Sequence, residues 1–147
     1  RVMPLLMSKD RYEETRVALQ QALSLHASDT APDAAILKLG QGWIAEEALA
    51  IGVYCALKAR DFETGVIMAV NHDGDSDSTG LIAGHLLGAM QGRAAIPARW
   101  LAPLELREVM EEMADDLATA GDWRLGDWDD PEASAEEDYY FGRYPGS

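Results

Sequence analysis

Apolar residues recur along this chain at intervals of three and four, and Gly, Pro and Asp clusters break the pattern into segments. Nowhere do they alternate in the two-residue period of a half-buried strand. Residues 8 to 26 read as the first clear helix: Tyr12, Leu19, Ala22, Leu23 and His26 repeat at helical spacing, and Ser8 or Asp10 stands where an N-cap belongs. His26 at the far end suits the helix dipole. After a loop from Ala27 to Pro32, Asp33 to Leu39 form a short helix that Gly40 and Gly42 end. Trp43 to Arg60 is apolar on nearly every face beyond its first turn, the pattern of a helix at the centre of a bundle. Its two acids, Glu46 and Glu47, fall in that first turn, at the positive end of the dipole. Asp61 then caps a helix running to about Val70.

A polar run, residues 71–80, comes next and leads into a helix that reads as buried. Gly80, Gly84 and Gly88 lie on it at strict four-residue spacing. A glycine inside a helix costs roughly 1 kcal/mol relative to alanine, so the stripe predicts another backbone passing close against that face. His85 interrupts the apolar residues there and reads as a hydrogen-bonded core histidine. Arg93 to Pro103 is a connector with a helical turn around Ala98-Arg99-Trp100. Leu104 to about Thr119 is amphipathic, with Leu106, Val109, Met110, Met113 and Leu117 expected inward and Glu105, Glu108, Glu112 and Asp116 outward. From Gly121 no periodicity holds: residues 122–147 carry eight acids, two arginines and Trp123, Trp128, Tyr139, Tyr140, Phe141 and Tyr144. The expected organisation is an all-α helical bundle over residues 1–120 followed by an acidic, aromatic tail over residues 121–147 that drapes on the body.

Composition narrows what such a bundle does. At 147 residues and 48% hydrophobic, the chain is long and apolar enough for one globular domain. Lys and Arg number 12 against 26 Asp and Glu, a formal charge of −14, which disfavours nonspecific nucleic-acid binding and docking on anionic membrane. The single cysteine, Cys55, sits in the central apolar helix, so neither a disulfide framework nor a Cys/His zinc site is expected. No signal peptide or membrane-length apolar run is visible, so a cytoplasmic location is the expectation. The first residue is Arg1 and not Met, which reads as a piece of something longer.

The polar run carries the chemistry. Asp73, Asp75 and Asp77 alternate, and Ser78 and Thr79 follow at once. Carboxylates packed this closely repel one another unless a hydrogen-bond network or a hard divalent cation compensates them. A helix N-terminus directly behind them favours negative charge as well. A plain capping loop is the alternative reading. An EF-hand counted from Asp73 would need Gly at its sixth position and Glu at its twelfth; Ser78 and Gly84 stand there, so that motif fails. A phosphate-cradling loop fails too, having one turn glycine and no following lysine. What remains is a hard-cation site approached from a helix N-terminus by carboxylates and a hydroxyl. Its other ligands come from elsewhere in the fold or from substrate.

Asp73-Gly-Asp-Ser-Asp-Ser-Thr-Gly-Leu-Ile-Ala-Gly84 resembles the C-terminal metal motif of the ADP-ribosylglycohydrolase family, of the dinitrogenase-reductase-activating and ADP-ribosylarginine hydrolase type. That motif reads Gly-Gly-Asp-(Ser/Thr)-Asp-(Ser/Thr) and runs into a small-residue helix. Gly40-Gln-Gly-Trp-Ile-Ala-Glu-Glu-Ala-Leu through Leu57 resembles a second segment of the same family, placed before that motif as here. The resemblance covers roughly Leu37 to Leu117. It implies an all-helical Mg2+-dependent hydrolase (two ions per complete site, Mn2+ being possible) that cleaves the glycosidic bond between ADP-ribose and a protein side chain, arginine by the form of the motifs. It also implies that Asp75, Asp77 and Ser78 ligate metal, while no residue is assigned as the catalytic group. Asp73 stands where the family usually has glycine and is expected either to support the metal ligands from behind or to face substrate. Gly42 and Trp43 fall where the family lines its ADP-ribose cleft, although Trp43 reads equally as a core residue. The family's N-terminal ligands, a glutamate and a Thr-Asp-Asp-type cluster, have no counterpart in Arg1 to Leu39. The resemblance therefore implies a C-terminal portion holding half a metal site, with the missing N-terminal half and an ADP-ribosylated protein or ADP-ribose as partners. The alternative is a non-catalytic member that binds ADP-ribose or another protein.

Overall fold

A computed structural model describes residues 2–122 and 131–144, and every regular element among them is helical. The chain divides into two compact units, one ending at Ala102 and the other beginning at Pro103. Among the described residues no helix is long and apolar enough to cross a membrane.

The first unit contains α1 (Val2–Leu6), α2 (Glu13–His26), α3 (Pro32–Leu39), α4 (Ala45–Lys58), α5 (Phe62–Val70), α6 (Ser76–Gln91) and α7 (Ala98–Leu101). α4 is the hub, packing against α2, α3, α5 and α6. Seven of its residues are buried, Ala48, Ala50, Ile51, Gly52, Tyr54, Cys55 and Ala56, as its near-continuous apolar sequence requires. Ile51 is fully buried in a cluster with Ala22, Ile36, Leu39 and Ala83, a burial worth about 1.5–3 kcal/mol for a side chain of that size. A smaller cluster joins Ala56, Phe62 and Leu87 to Trp100. Helix ends follow local chemistry. Pro32 opens α3, where its missing N–H costs nothing, and Gly40 at φ +121° ends it. Asp61 caps α5 by accepting from the Thr64 N–H at 2.7 Å.

Several expectations are corrected. α2 begins at Glu13 with neither Ser8 nor Asp10 as its cap; the Ser8 hydroxyl instead donates to Leu5 O and closes α1. Its inward stripe is Ala18, Ala22 and Leu25, while Leu23 is 45% exposed, because small alanines let α2 lie close on α4. The glycine stripe of α6 does not mark a close approach along its length. Gly84 and Gly88 have open space where a Cβ would stand, and only Gly80 is crowded, by Val70. The close approaches are made by glycines of the neighbouring helices: a Cβ on Gly52 would meet Ile82 Cγ2 at 2.5 Å, and one on Gly65 would meet Leu87 Cδ1 at 2.5 Å. The buried face of α6 runs through Thr79, Ala83 and Leu87, so His85, two residues off that line, is exposed and not a core histidine.

The second unit holds α8 (Arg107–Thr119) and α9 (Pro131–Arg143). Residues 131–143 were expected to lack a regular element, yet they form a helix with Pro131 at its first position. Arg143 from its last turn donates to Glu112 at 2.7 Å and pairs with Asp116 at 2.9 Å, and the Tyr144 hydroxyl donates to Asp116 at 2.6 Å. The acidic face of α8 thus has partners. Its apolar face, expected inward, contains no buried residue, and Val109, Met110, Met113 and Leu117 are each at least 42% exposed. Trp123 and Trp128 lie outside the described residues.

Candidate functional site

The acidic loop is the link between α5 and α6, and its shape is set by short-range backbone bonds. Asn71 Nδ2 donates to Ile67 O at 2.7 Å and closes the end of α5. Gly74 N then donates to His72 O, and Ser76 N to Gly74 O, two successive three-residue turns that tighten the chain before α6 starts. Asp75 stands at the N-cap of α6 and Asp77 in its first turn. The Asp75 side chain beside it, and after that the backbone N–H groups of Asp77 and Ser78, hold the Asp77 carboxyl below the usual carboxylate range. Those N–H groups are the unpaired donors that every helix start presents. Ser78 follows in the same turn and is half-buried.

A second turn backs this loop. Gly40 and Gly42 take positive φ, +121° and +82°, which L side chains rarely adopt. Glu47 Oε2 accepts from both Gln41 N and Gly42 N at 3.0 Å, so this acid in the first turn of α4 does more than meet the dipole. The turn in turn presents Gln41 O to Asp75 N, at 2.8 Å. Any Cβ on Gly74 would collide with that same carbonyl. Gly74 is therefore dictated by the approach of the Gln41 backbone, and the two segments singled out by resemblance touch each other here.

Thr79 fastens the arrangement from inside. It is fully buried, and its Oγ1 lies 2.7 Å from Ala69 O, 3.2 Å from Asp75 O and from Ser76 O, and 2.9 Å from His72 Nε2. One hydroxyl carries one proton. With that proton donated to the nearest carbonyl, Ala69 O, His72 must carry its own on Nε2 and donate to Thr79. The end of α5, the loop and the start of α6 are locked through this one hydroxyl. A Cβ on Gly42 would sit 2.9 Å from Thr79 Cγ2, so Gly42 is small in order to fit against the loop.

Of the residues anticipated from sequence, Asp75, Asp77 and Ser78 lie in one turn, and Gly42 packs behind them. Asp73 is exposed and lines a hollow of about 270 Å³ with Asp33, Gln41, Asn71 and His72. Trp43 is 68% exposed, which overturns its reading as a core residue: it precedes α4 and lies outside that helix's buried face. Sequence reasoning gave Gln41 and His72 no role, read Glu47 only as a partner of the helix dipole, and took Thr79 as one more hydroxyl of the polar run, not as its buried fastening. Thr79 had a usable signal, since it continues the Ala83–Leu87 stripe; the backbone carbonyl of Gln41 had none. Among the described residues no three or more His, Cys, Asp or Glu side chains gather into a metal-holding group.

Comparison with known proteins gives these motifs a context. Over 90 residues, 61% of this chain, the sequence is 39% identical to an uncharacterized protein of Archaeoglobus fulgidus, of which that stretch is 29%. Over 63 residues, 41% of the chain, it is 41% identical to the ADP-ribosyl-(dinitrogen reductase) glycohydrolase of Rhodospirillum rubrum, of which that stretch is 21%. The chain thus spans less than a third of the length of either relative. No solved structure matches it. The model of the ADP-ribosylglycohydrolase family matches residues 2–125, and with most of its length so matched the chain belongs to that family.

Proposed function

We propose that this chain is part of a metal-dependent hydrolase that removes ADP-ribose from a modified protein side chain, arginine in the first instance. The observation that carries the reading is the placement of Asp75 at the N-cap and Asp77 in the first turn of α6, on a loop whose backbone is fixed from behind by Gln41, Glu47 and Thr79. Two carboxylates and the Ser78 hydroxyl form an all-oxygen donor set, which suits Mg2+ or Mn2+. Octahedral Mg2+ needs six oxygens, so these three side chains fit one part of a centre, the remainder coming from further protein ligands, substrate and water. A bound divalent ion would supply Lewis-acid polarisation and an acidified water.

The protein's own contribution is positional. The backbone that carries Asp75 is held by Gln41 and Thr79 without help from an ion, so little backbone ordering has to occur when metal and ADP-ribose arrive. The Asp75 side chain first, and then the N–H groups at the start of α6, favour the charged form of the Asp77 carboxyl, the form that ligates a cation. Gly42 belongs to the turn that contacts this loop and exposed Trp43 follows it, offering an aromatic face for a ligand's ring.

The test is release of free ADP-ribose from an ADP-ribosylarginine peptide, with Mg2+ and with EDTA, by this chain and by the full-length protein that contains it. Mg2+-dependent release that disappears in Asp75→Ala and in Asp77→Ala is expected. Near-normal activity in either variant overturns the site. ADP-ribose binding without release by the full-length protein would make it a non-catalytic member of the family.

A further inference from the structure

One side chain of the acidic loop, His72, has no part in the proposed chemistry. It is half-buried, and its ring reaches across the loop. On one side Nε2 lies 2.9 Å from the hydroxyl of buried Thr79, in the first turn of α6. On the other, a Cβ on Gly74 would stand 2.9 Å from His72 Nδ1, so Gly74 is small for this ring as well as for the Gln41 carbonyl. The His72 carbonyl meanwhile accepts from Gly74 N at 3.0 Å and opens the pair of tight turns that delivers Asp75. One residue thus ties the entry of the turn through its backbone and spans from the turn to α6 through its ring. The direction of the side-chain bond is set too. Thr79 Oγ1 lies closest to Ala69 O, at 2.7 Å, and has one proton to give, so His72 Nε2–H is the donor.

We propose that His72 is a positioning residue for the divalent cation: its Nε2–H bond to Thr79 keeps the turn that carries Asp75 in one backbone conformation and so raises affinity for the ion without touching it. The inference rests on the cation site of the hydrolase reading. Neighbouring carboxylates repel, and a loop free to respond spreads them apart. Any backbone freedom that cation binding then has to remove is subtracted from its affinity. A brace formed during folding has already removed it. Cleavage itself does not pass through His72, so losing the brace lowers affinity for the ion and leaves the rate at saturating ion unchanged.

The experiment is Mn2+ titration of the full-length protein that contains this chain, with free ion read by electron paramagnetic resonance. His72→Phe keeps a ring in the wedge but has no donor, whereas His72→Gln gives up the ring and offers an amide N–H to Thr79. Gly65→Ala, which must push against Leu87 in the same unit, controls for stability lost away from the loop, and Asp75→Ala reports on the site itself. Far-ultraviolet circular dichroism verifies that each variant is folded. His72→Phe should weaken Mn2+ binding about tenfold, His72→Gln less than about threefold and Gly65→Ala less than about twofold, while Asp75→Ala should weaken it about a hundredfold or more. In ADP-ribose release His72→Phe should need about tenfold more Mg2+ for half its maximal rate and reach the wild-type rate at saturation. Undiminished Mn2+ affinity in His72→Phe, no recovery in His72→Gln, equal weakening in Gly65→Ala, or a lower saturated rate at unchanged affinity would overturn the proposal. Mn2+ binding in Asp75→Ala equal to wild type would overturn the cation site on which it rests, and so separates the two failures.

Discussion

Glu47 makes the most exacting test of how the candidate site is held. Its carboxylate accepts from two backbone N–H groups, Gln41 and Gly42, each at 3.0 Å. The Gly42 residue is buried, so truncating Glu47 to alanine leaves its N–H without a partner in a place water reaches poorly. Hydrogen bonds to a charged group contribute about 1.5–3 kcal/mol each, and exposure of the Gln41 site to solvent discounts one of the two. The expected loss is about 2–4 kcal/mol, a drop in Tm of roughly 10 °C or more for a unit of this size. Glu46→Ala is the control, since Glu46 occupies the same first turn and shares the dipole interaction but holds no loop; its cost should stay below about 0.5–1 kcal/mol. Glu47→Gln keeps an acceptor and should fall between, as charge-assisted bonds are roughly twice as strong as neutral ones. Urea denaturation followed by circular dichroism measures all three. Amide exchange at Asp75, whose N–H donates to Gln41 O at 2.8 Å, should quicken in Glu47→Ala alone. Equal stability of Glu47→Ala and Glu46→Ala would refute the view that this acid supports the site.

Glycine positions give a paired test. Gly84→Ala and Gly88→Ala, with open space at the new Cβ, should each stabilise by up to about 1 kcal/mol, whereas Gly52→Ala must push against Ile82 and should destabilise; thermal melts decide. Thr79→Val keeps the volume but removes the hydroxyl that serves Ala69 O and His72, and should cost about 1–3 kcal/mol by the same assay. Burial pushes the Cys55 thiol from its ordinary 9.0 up to about 12, so it should resist iodoacetamide at pH 8 in the folded protein and react readily in urea, as mass spectrometry would read. Because the folded thiol ionises later than the unfolded one, its contribution to stability is complete below about pH 9 and is lost as pH rises towards 12.

The helices were legible in the sequence because their causes are local. A continuous apolar run marked α4 as the buried hub, Asp61 announced α5, and Pro32 and Gly40 bracketed α3 within a residue. The boundaries that slipped had weaker local signals: α2 begins without a side-chain cap, and α9 mixes acids and aromatics with no clean stripe. The acidic loop was visible too, since three alternating aspartates before a small-residue helix are unusual chemistry wherever they fold.

Packing direction was not legible. Three glycines on α6 predict a close neighbour, but a stripe does not say from which helix the missing Cβ is demanded, and it is Gly52 and Gly65 that meet α6 side chains. The apolar rows of α8 likewise fix a face without fixing what covers it. Above all, the Gln41 carbonyl that dictates Gly74 and anchors Asp75 is a backbone group more than thirty residues away in sequence. Residue identity records what a side chain can do; which backbone atoms arrive beside it is decided only when α4 and α6 pack, and that packing anchors the backbone from which Asp75 and Asp77 project.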